Sequence, residues 1–546
     1  MSTTAQAATV TQAFQATARA HADKPALRAH HGGVEWSWDE YRERVRRCAA
    51  GLAELGGRRG DTLACWLTNR PEFHAVDTAA VHVGMASFSV YPTYTAEQAA
   101  HVIGDAGARI LVTEPAFLER GLAVRARETT ALDTIILIDA DHEATLGWNA
   151  LLDHGSDRFD LEAAAAAVTP SDLLTLIYTS GTTGPPKGVE LTHANVMATL
   201  TGVTERLRLT PGMRAISWLP MAHIAERLCT NYLPSTLGWD VTTCADPRAV
   251  GALLAEVRPQ FFFSPPRMWE KLRASVLARF DGSVELAAAD RDGVVRGLGL
   301  DQIQVAVVGA APCPPEVIGF WHALGIPLGE TYGGSETTGV ATLNPPDAIK
   351  AGTAGPPLSG VEVQLAADGE VLVRGPVVMK GYRNLPEQTA EAIDAESWLH
   401  TGDIGAFDQD GYLRIVDRIK EIIINAAGKN MSPANIEATL KSASPLIGQA
   451  VCIGDGRPYN TALIVLDPDV AAGRDPHHPE TVALIQQAVN AANERLARVE
   501  EIKRFRIIEG DWLAGGDELT PTMKLKRRPI ADKYEAEIEK LYAARP

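Results

Sequence analysis

The chain has no excess of positive charge: 51 Lys and Arg stand against 68 Asp and Glu, a formal net charge of −17. Nucleic-acid surfaces are built from clustered Lys and Arg, so this balance argues against DNA or RNA as the main partner. It also means that an anionic substrate must be held by local cations rather than drawn in by the overall field. Cysteine is sparse. Cys48, Cys65, Cys229, Cys244, Cys313 and Cys452 are scattered with no CxxC pair, which fits buried thiols in a reducing compartment better than a disulfide framework or a zinc site. No uninterrupted apolar stretch approaches the length of a spanning helix. The N-terminal MSTTAQAATVTQAF lacks both the basic and the apolar region of a secretory signal. These absences lead us to expect a soluble, cytoplasmic protein. Two catalytic signatures are missing as well, the GxSxG nucleophile elbow and the HExxH zinc motif.

What is present is ordinary globular composition, 46% hydrophobic and 22% charged, over 546 residues. That length is too great for one core and calls for two or more domains. Up to about residue 340 the apolar runs ARILVTE, DTIILID, LLTLIYTS, AISWLP, QFFFSPP and QVAVVGA alternate with helical patterns such as WDEYRERVRRCAAGLAEL. This predicts α/β layers with largely parallel sheets. Between about 350 and 418, short runs with frequent glycines predict a small antiparallel or barrel-like segment. After DRIKEIII, roughly 120 residues remain, enough for a separate α+β domain. There are no internal repeats, and the tract LEAAAAAV at 161–168 reads as a helix or linker.

The most informative stretch is IYTSGTTGPPKGVE at 177–190. Glycines, hydroxyls and one cation, Lys187, leave an apolar strand, an arrangement suited to a polyphosphate. It is not a Walker loop, because Pro185 and Pro186 precede Lys187 where that motif needs its Gly-Lys-Ser/Thr spacing. A second glycine-rich turn follows another strand, VAVVGAAPCP at 305–314, with GETYGGSETTG at 329–339 beyond it. A third cluster, ESWLHTGDIGAFDQDGYLRIVDRIKEIIINAAGKNMSPANIE, spans 396–437, and ELTPTMKLKRRPIADKY lies near the C-terminus.

Together these strings resemble the adenylate-forming superfamily of acyl-CoA synthetases, firefly-type luciferases and peptide-synthetase adenylation domains. The third cluster is most similar to long-chain fatty acyl-CoA synthetases. The resemblance implies an α/β fold: a large domain of layered α/β subdomains with a small β-barrel-like segment, residues 1–419, and a mobile α+β domain, 420–546. It implies ATP, Mg²⁺ and coenzyme A as cofactor and co-substrates, and a fatty acid as the acid. Membrane contact would then serve only to collect that acid.

Residue by residue, the resemblance assigns the phosphates to Thr179, Ser180, Gly181, Thr182, Thr183, Gly184 and Lys187. The adenine falls to Gly309, Ala310, Ala311, Tyr332 and Gly333, where a ring can stack on a purine while small residues admit its edge. Ser335 would bond the α-phosphate, while Glu336 and Thr179 would hold Mg²⁺, a cation that prefers oxygen ligands. Asp403 and Arg418 would take the ribose hydroxyls, and Lys420 would be the hinge of the small domain. Lys524 would reach the acyl and phosphate oxygens during adenylation, with Thr183 assisting. Gly428 would enter the thiol tunnel after rotation. Many relatives carry threonine in place of Ser335 and glycine in place of Met523. The neighbouring Lys526, Arg527 and Arg528 read either as solvated surface or as more than that. In WLPMAHIAERL, His223 is expected to line the acyl site, and its apolar neighbours fit either an acyl tunnel or core.

The reaction implied is attack of a carboxylate on the ATP α-phosphorus, then displacement of AMP by a thiol. Amino-acid activation is disfavoured, because WLPMAHIAER lacks the early aspartate and no carrier domain follows residue 546. A fatty acyl-AMP ligase needs an inserted segment, for which the run from Glu336 to Asp403 leaves little room. A silent nucleotide binder should have lost Lys524, Glu336 or the loop, and all are present. Ligases for other hydrophobic acids, aryl or sterol, stay open.

Overall fold

Each of the six apolar runs becomes a strand in the computed structural model, which describes residues 7–30, 33–155, 158–179, 185–426, 428–471, 473–513, 515–520 and 523–543. The largest sheet has eight strands. In spatial order they are Gly381–Tyr382, Lys187–Thr192, Leu173–Thr179, Ala86–Ser89, Thr62–Trp66, Ile110–Thr113, Thr134–Leu137 and Leu146–Gly147. From Leu173–Thr179 outward to Leu146–Gly147 every pairing is parallel, which buries both faces and explains runs as apolar as ILVT and TIIL. The other end is different: Lys187–Thr192 returns antiparallel to Leu173–Thr179, pairing Lys187 with Thr179, and Gly381–Tyr382 then adds antiparallel at the margin.

Two four-stranded sheets lie beside it. One contains Arg214–Ser217, Asp240–Thr243 and Pro25–Ala29 in parallel, with Glu35–Ser37 antiparallel. The other contains Phe261–Ser264, Val305–Val308 and Leu328–Tyr332 in parallel, ending in the antiparallel Thr342–Leu343. Helices cover them. Trp38–Glu54 starts in a capping box, Ser37 and Glu40 each bonding the other's backbone N–H, which satisfies two of the orphan donors of a helix start. The alanine tract forms the helix Leu161–Ala167.

The glycine-rich section is an all-antiparallel sheet of Glu362–Leu365, Glu370–Arg374, Leu399–Phe407 and Leu413–Arg418, as its short runs require. Its Val371, Val373, Leu399 and Leu413 belong to the same core cluster as Val196, Leu200 and Val203 of the helix His193–Leu207. Beyond Arg418 one 3₁₀ turn, Ile419–Glu421, leads into a smaller α+β unit. Its sheet of Ile447–Ile453, Asn460–Leu466 and Ile502–Ile508 has a hydrophobic cluster of its own on each face. Five cysteines are buried free thiols and Cys229 is half-buried. Among the described residues no helix is long and apolar enough to cross a membrane.

Candidate active site

The phosphate-type loop leaves the strand Leu173–Thr179 and comes back as the strand Lys187–Thr192 rather than opening a helix. Pro185 and Pro186 precede the return strand, whose first residue is Lys187. Ser180, Gly181, Thr182, Thr183 and Gly184 lie outside the described residues. On the return, the Pro186 carbonyl accepts from His101 Nε2 at 3.0 Å. The Lys187 ammonium sits 4.9 Å above the ring of Tyr382.

The adenine-type residues gather at the C-terminal ends of two parallel strands, where ligands bind in open α/β sheets. Gly309 ends Val305–Val308 and is buried; a Cβ there would lie 2.6 Å from the Thr331 methyl of the next strand. Ala310 follows with φ 66°, left-handed backbone that a Cβ disfavours by about 1 kcal/mol or more. Ala311 beside it is exposed. Tyr332 ends Leu328–Tyr332, and Gly333 and Gly334 carry the chain into the 3₁₀ turn Ser335–Thr337.

The antiparallel sheet presents the remaining large-domain groups. Register pairs Asp403 directly with Arg418. Arg418 Nε lies 3.3 Å from Asp403 Oδ1, and the Tyr332 hydroxyl donates to Asp403 Oδ2 at 2.7 Å. Burial raises the Asp403 carboxyl, and the Arg418 charge opposes it. Glu336 is half-buried rather than a solvated loop carboxylate, and its Oε1 accepts from the Tyr382 hydroxyl at 2.9 Å.

His223 caps a short helical turn, its Nδ1 accepting from the Ala225 N–H at 3.2 Å. Burial first, and then the Lys524 charge, lower its pKa to about 4. The ring is therefore neutral at pH 7, and with Nδ1 accepting, Nε2 carries the hydrogen and is a donor. Its neighbours Met221, Ala222, Ile224 and Leu228 are buried in three different core clusters, which decides the open question for these four in favour of core. Their turn is pinned by a buried network: Arg227 Nε donates to the Met221 carbonyl at 2.9 Å while its guanidinium pairs with Asp77 at 2.5 Å. The same stretch, Arg227–Tyr232, is π-helical, a widened turn common near functional sites.

Lys524 comes to these groups from the small unit, within electrostatic range of Arg418, Asp403, Glu336 and His223. It keeps solvent contact, yet enough protein surrounds it that desolvation lowers its pKa, with the Arg418 charge acting in the same direction and those of Asp403 and Glu336 against it. Met523 takes φ 63°, so the backbone shape that a glycine supplies in relatives is adopted here by an exposed methionine. Of the two readings of the following basic run, solvated surface fails at Arg527. Its guanidinium bonds both Glu437 oxygens at 2.6 and 2.9 Å and Glu421 at 3.1 Å, tying the segment after Lys524 to the 3₁₀ turn Ile419–Glu421. Lys526 Nζ donates to the Gly516 carbonyl at 2.8 Å, and only Arg528 is exposed. Lys420 is exposed in the 3₁₀ turn Ile419–Glu421, and Gly428, with φ 71°, lies open in a turn closed by its N–H on the Asn425 carbonyl.

Sequence reasoning missed Tyr382 and Arg527. Both owe their roles to partners distant in the chain, and the only sequence signal at Tyr382 is a Gly-Tyr step between polar residues.

Among the described residues no three His, Cys, Asp or Glu side chains gather as a metal cage. A carboxylate with one oxygen already engaged, beside a phosphate loop, fits Mg²⁺, which takes one or two carboxylates plus phosphate and water oxygens. A hydrogen-bonded Asp–Arg–Tyr set, a carboxylate, a phosphate loop and a lysine brought in from a second unit define a nucleotide-binding, acid-activating enzyme. The chain belongs to the AMP-binding enzyme family: that family's description matches residues 14–383, and its C-terminal domain matches 420–546. A putative fatty-acid–CoA ligase of Mycobacterium tuberculosis is 47% identical over 71% of this chain and 76% of its own. A long-chain-fatty-acid–CoA ligase of Mycobacterium bovis is 33% identical over 92% of this chain and 91% of its own. The fold matches that of an anthranilate CoA ligase in complex with anthranoyl-AMP, with a TM-score of 0.81 at 21% identity, covering 97% of this chain and 98% of that one.

Proposed function

We propose that the protein activates a medium- to long-chain fatty acid with ATP and transfers it to coenzyme A, releasing AMP and pyrophosphate, in the cytoplasm. The observation that carries this reading is the arrival of Lys524 among Asp403, Arg418, Glu336 and His223, which is the charge pattern of an adenylating site. The relatives named as long-chain-fatty-acid–CoA ligases support the acid and the acceptor.

In the first half-reaction the acid's oxygen bonds to the α-phosphorus as the bond to pyrophosphate breaks. Two anions must meet, so catalysis is chiefly positioning and charge compensation. Lys187 and the loop N–H groups hold the terminal phosphates, Ser335 the α-phosphate, and Asp403 with Arg418 the ribose. Lys524 binds the oxygens between which the new bond forms. The Nε2–H of neutral His223 donates to the acid without adding a charge that would hold the carboxylate back. Bound Mg²⁺, held by Glu336 and Thr179, would draw charge from the phosphate oxygens. In the second half-reaction the thiol adds to the acyl carbonyl and AMP leaves. We place the domain boundary at 419/420 and the hinge at Lys420, so that rotation withdraws Lys524 and brings Gly428 to the thiol path.

The test is a pyrophosphate and thioester assay over a panel of acids, with and without coenzyme A. Thioester formed preferentially from fatty acids of medium to long chain supports the proposal. Adenylate that accumulates unchanged by coenzyme A would identify an acyl-AMP ligase instead, and a preference for aryl or sterol acids would overturn the substrate.

A further inference from the structure

Tyr382 joins two site residues that come from different parts of the fold. Its backbone is fixed independently of its side chain. The pair Gly381–Tyr382 adds to the margin of the largest sheet opposite Glu190 and Val189. Flanking bonds lock the register: the Arg383 N–H donates to the Gly188 carbonyl at 2.7 Å, and the Lys380 N–H to the Glu190 carbonyl at 3.0 Å. Arg383 also pairs with the Glu190 carboxylate at 3.2 Å, and the Tyr382 N–H donates to Thr389 Oγ1 at 2.9 Å.

From that fixed point the side chain does two things. Its hydroxyl donates to Glu336 Oε1 at 2.9 Å, and its ring face lies 4.9 Å from Lys187 Nζ. The other carboxylate oxygen, Oε2, faces Gly334, where a side chain would begin only 3.1 Å away. The Glu336 carbonyl is separately held by the Met379 N–H at 2.8 Å, so backbone and side chain of this glutamate are both fixed.

We propose that Tyr382 is a positioning residue for adenylation: it holds one oxygen of Glu336 so that the other points at the cation, and it parks the Lys187 ammonium on its ring until the terminal phosphates take it. This rests on the reading of Glu336 as a Mg²⁺ ligand. Partners that orient a metal-binding carboxylate typically govern metal affinity by about 10- to 100-fold. Replacing the hydroxyl alone keeps the ring, the sheet pairing and the cation contact, so Tyr382→Phe isolates the bond to Glu336.

The experiment measures Mn²⁺ binding by electron paramagnetic resonance, in the presence of a non-hydrolysable ATP analogue, for the parent chain, Tyr382→Phe, Glu336→Gln and the double variant. Thermal melts check that all four fold. Tyr382→Phe is expected to weaken Mn²⁺ by about tenfold, with no further loss when it is added to Glu336→Gln. The Kd of the analogue without the metal should change less than twofold in Tyr382→Phe. If Glu336→Gln weakens Mn²⁺ and Tyr382→Phe does not, the inference about Tyr382 is overturned and the reading of Glu336 stands. If Glu336→Gln has no effect on Mn²⁺, the underlying assignment is wrong.

Discussion

Consider Arg267→Ala. Arg267 and Lys271 lie one turn apart on the helix Pro266–Arg279 and so share a face. They pair with Asp467 and Asp469 of the small unit, the latter at 2.6 Å, and a third pair, Arg495 with Glu316 at 2.6 Å, also crosses between the units. The three pairs are not equal. Lys271 and Asp469 retain 48% and 74% of their side-chain exposure, and such a pair contributes at most a few tenths of a kcal/mol. The Asp467 side chain is only 4% exposed, and besides Arg267 its carboxylate accepts from the backbone of Asp469 and Val470 at 3.0 and 3.3 Å. Breaking a fully buried pair costs about 3–5 kcal/mol because the remaining charge is stranded. Arg267 is one-third exposed, so water would enter the vacated space, and about 2 kcal/mol is the reasonable figure. This cost falls on the orientation that delivers Lys524. At 1.36 kcal/mol per factor of ten it lowers the ratio of that orientation to any other by about 30-fold. The assay separates the half-reactions: pyrophosphate release from acid and ATP, and thioester formation from supplied acyl-adenylate. The first should fall by up to about 30-fold and the second should hold or rise. Raising ionic strength should weaken the two exposed pairs in the parent and shift the balance the same way by a smaller amount. An equal fall in both half-reactions, or no change in either, would refute the idea that this pair selects the adenylating orientation.

Lys524→Ala should abolish adenylate formation, a loss of at least about 10²-fold from removing one preorganised charge, while sparing thioester formation from supplied adenylate; the same two assays check it, and equal losses would count against alternating roles. Acid should destabilise the fold through its buried histidines. Burial lowers His74 and His82 to about 4 and His193 to about 3, below the 6.5 of the unfolded chain. Their contribution is therefore fully present above pH 6.5 and is lost as pH falls towards 4, because only the unfolded state takes up protons in that window. At pH 5.5 each costs about 1.4 kcal/mol, about 4 kcal/mol for the three together. Urea midpoints at pH 7.5 and 5.5 measure this, and coincident midpoints would contradict the burial of these rings.

Much of the framework was readable because its signals are local. A run such as TIIL between polar boundaries has no other use than a strand covered on both faces, and ETYGGSETTG carries its backbone demands in its own glycines. Asp403 and Arg418 were readable for a related reason: they sit at matched register positions of one hairpin, fifteen residues apart, so a single string contains both partners. Beyond that range the sequence is silent. Arg527 looks like one of three solvated cations, and nothing near it announces Glu437 ninety positions earlier in the chain. Met523 appeared as a departure from glycine, and its φ of 63° is left-handed backbone of the kind glycine adopts most readily.

The same limit applies to the phosphate loop, whose return strand has support that its own residues do not announce. Lys187 could be recognised as the loop's cation from spacing alone. That it rests on an aromatic ring, and that the ring's hydroxyl is bonded to the expected metal-binding carboxylate, follows only from Gly381–Tyr382 adding to the sheet beside it. In the proposed function Lys187 must release pyrophosphate, and it gains from such a resting place. Held by a ring face at about 0.5–1 kcal/mol rather than by a carboxylate, it is kept in position without being neutralised. A buried carboxylate partner would have bound it more tightly and cost more to leave when ATP arrives. The arrangement thus favours exchange over retention, which is what the proposed use of the loop in one of two half-reactions requires.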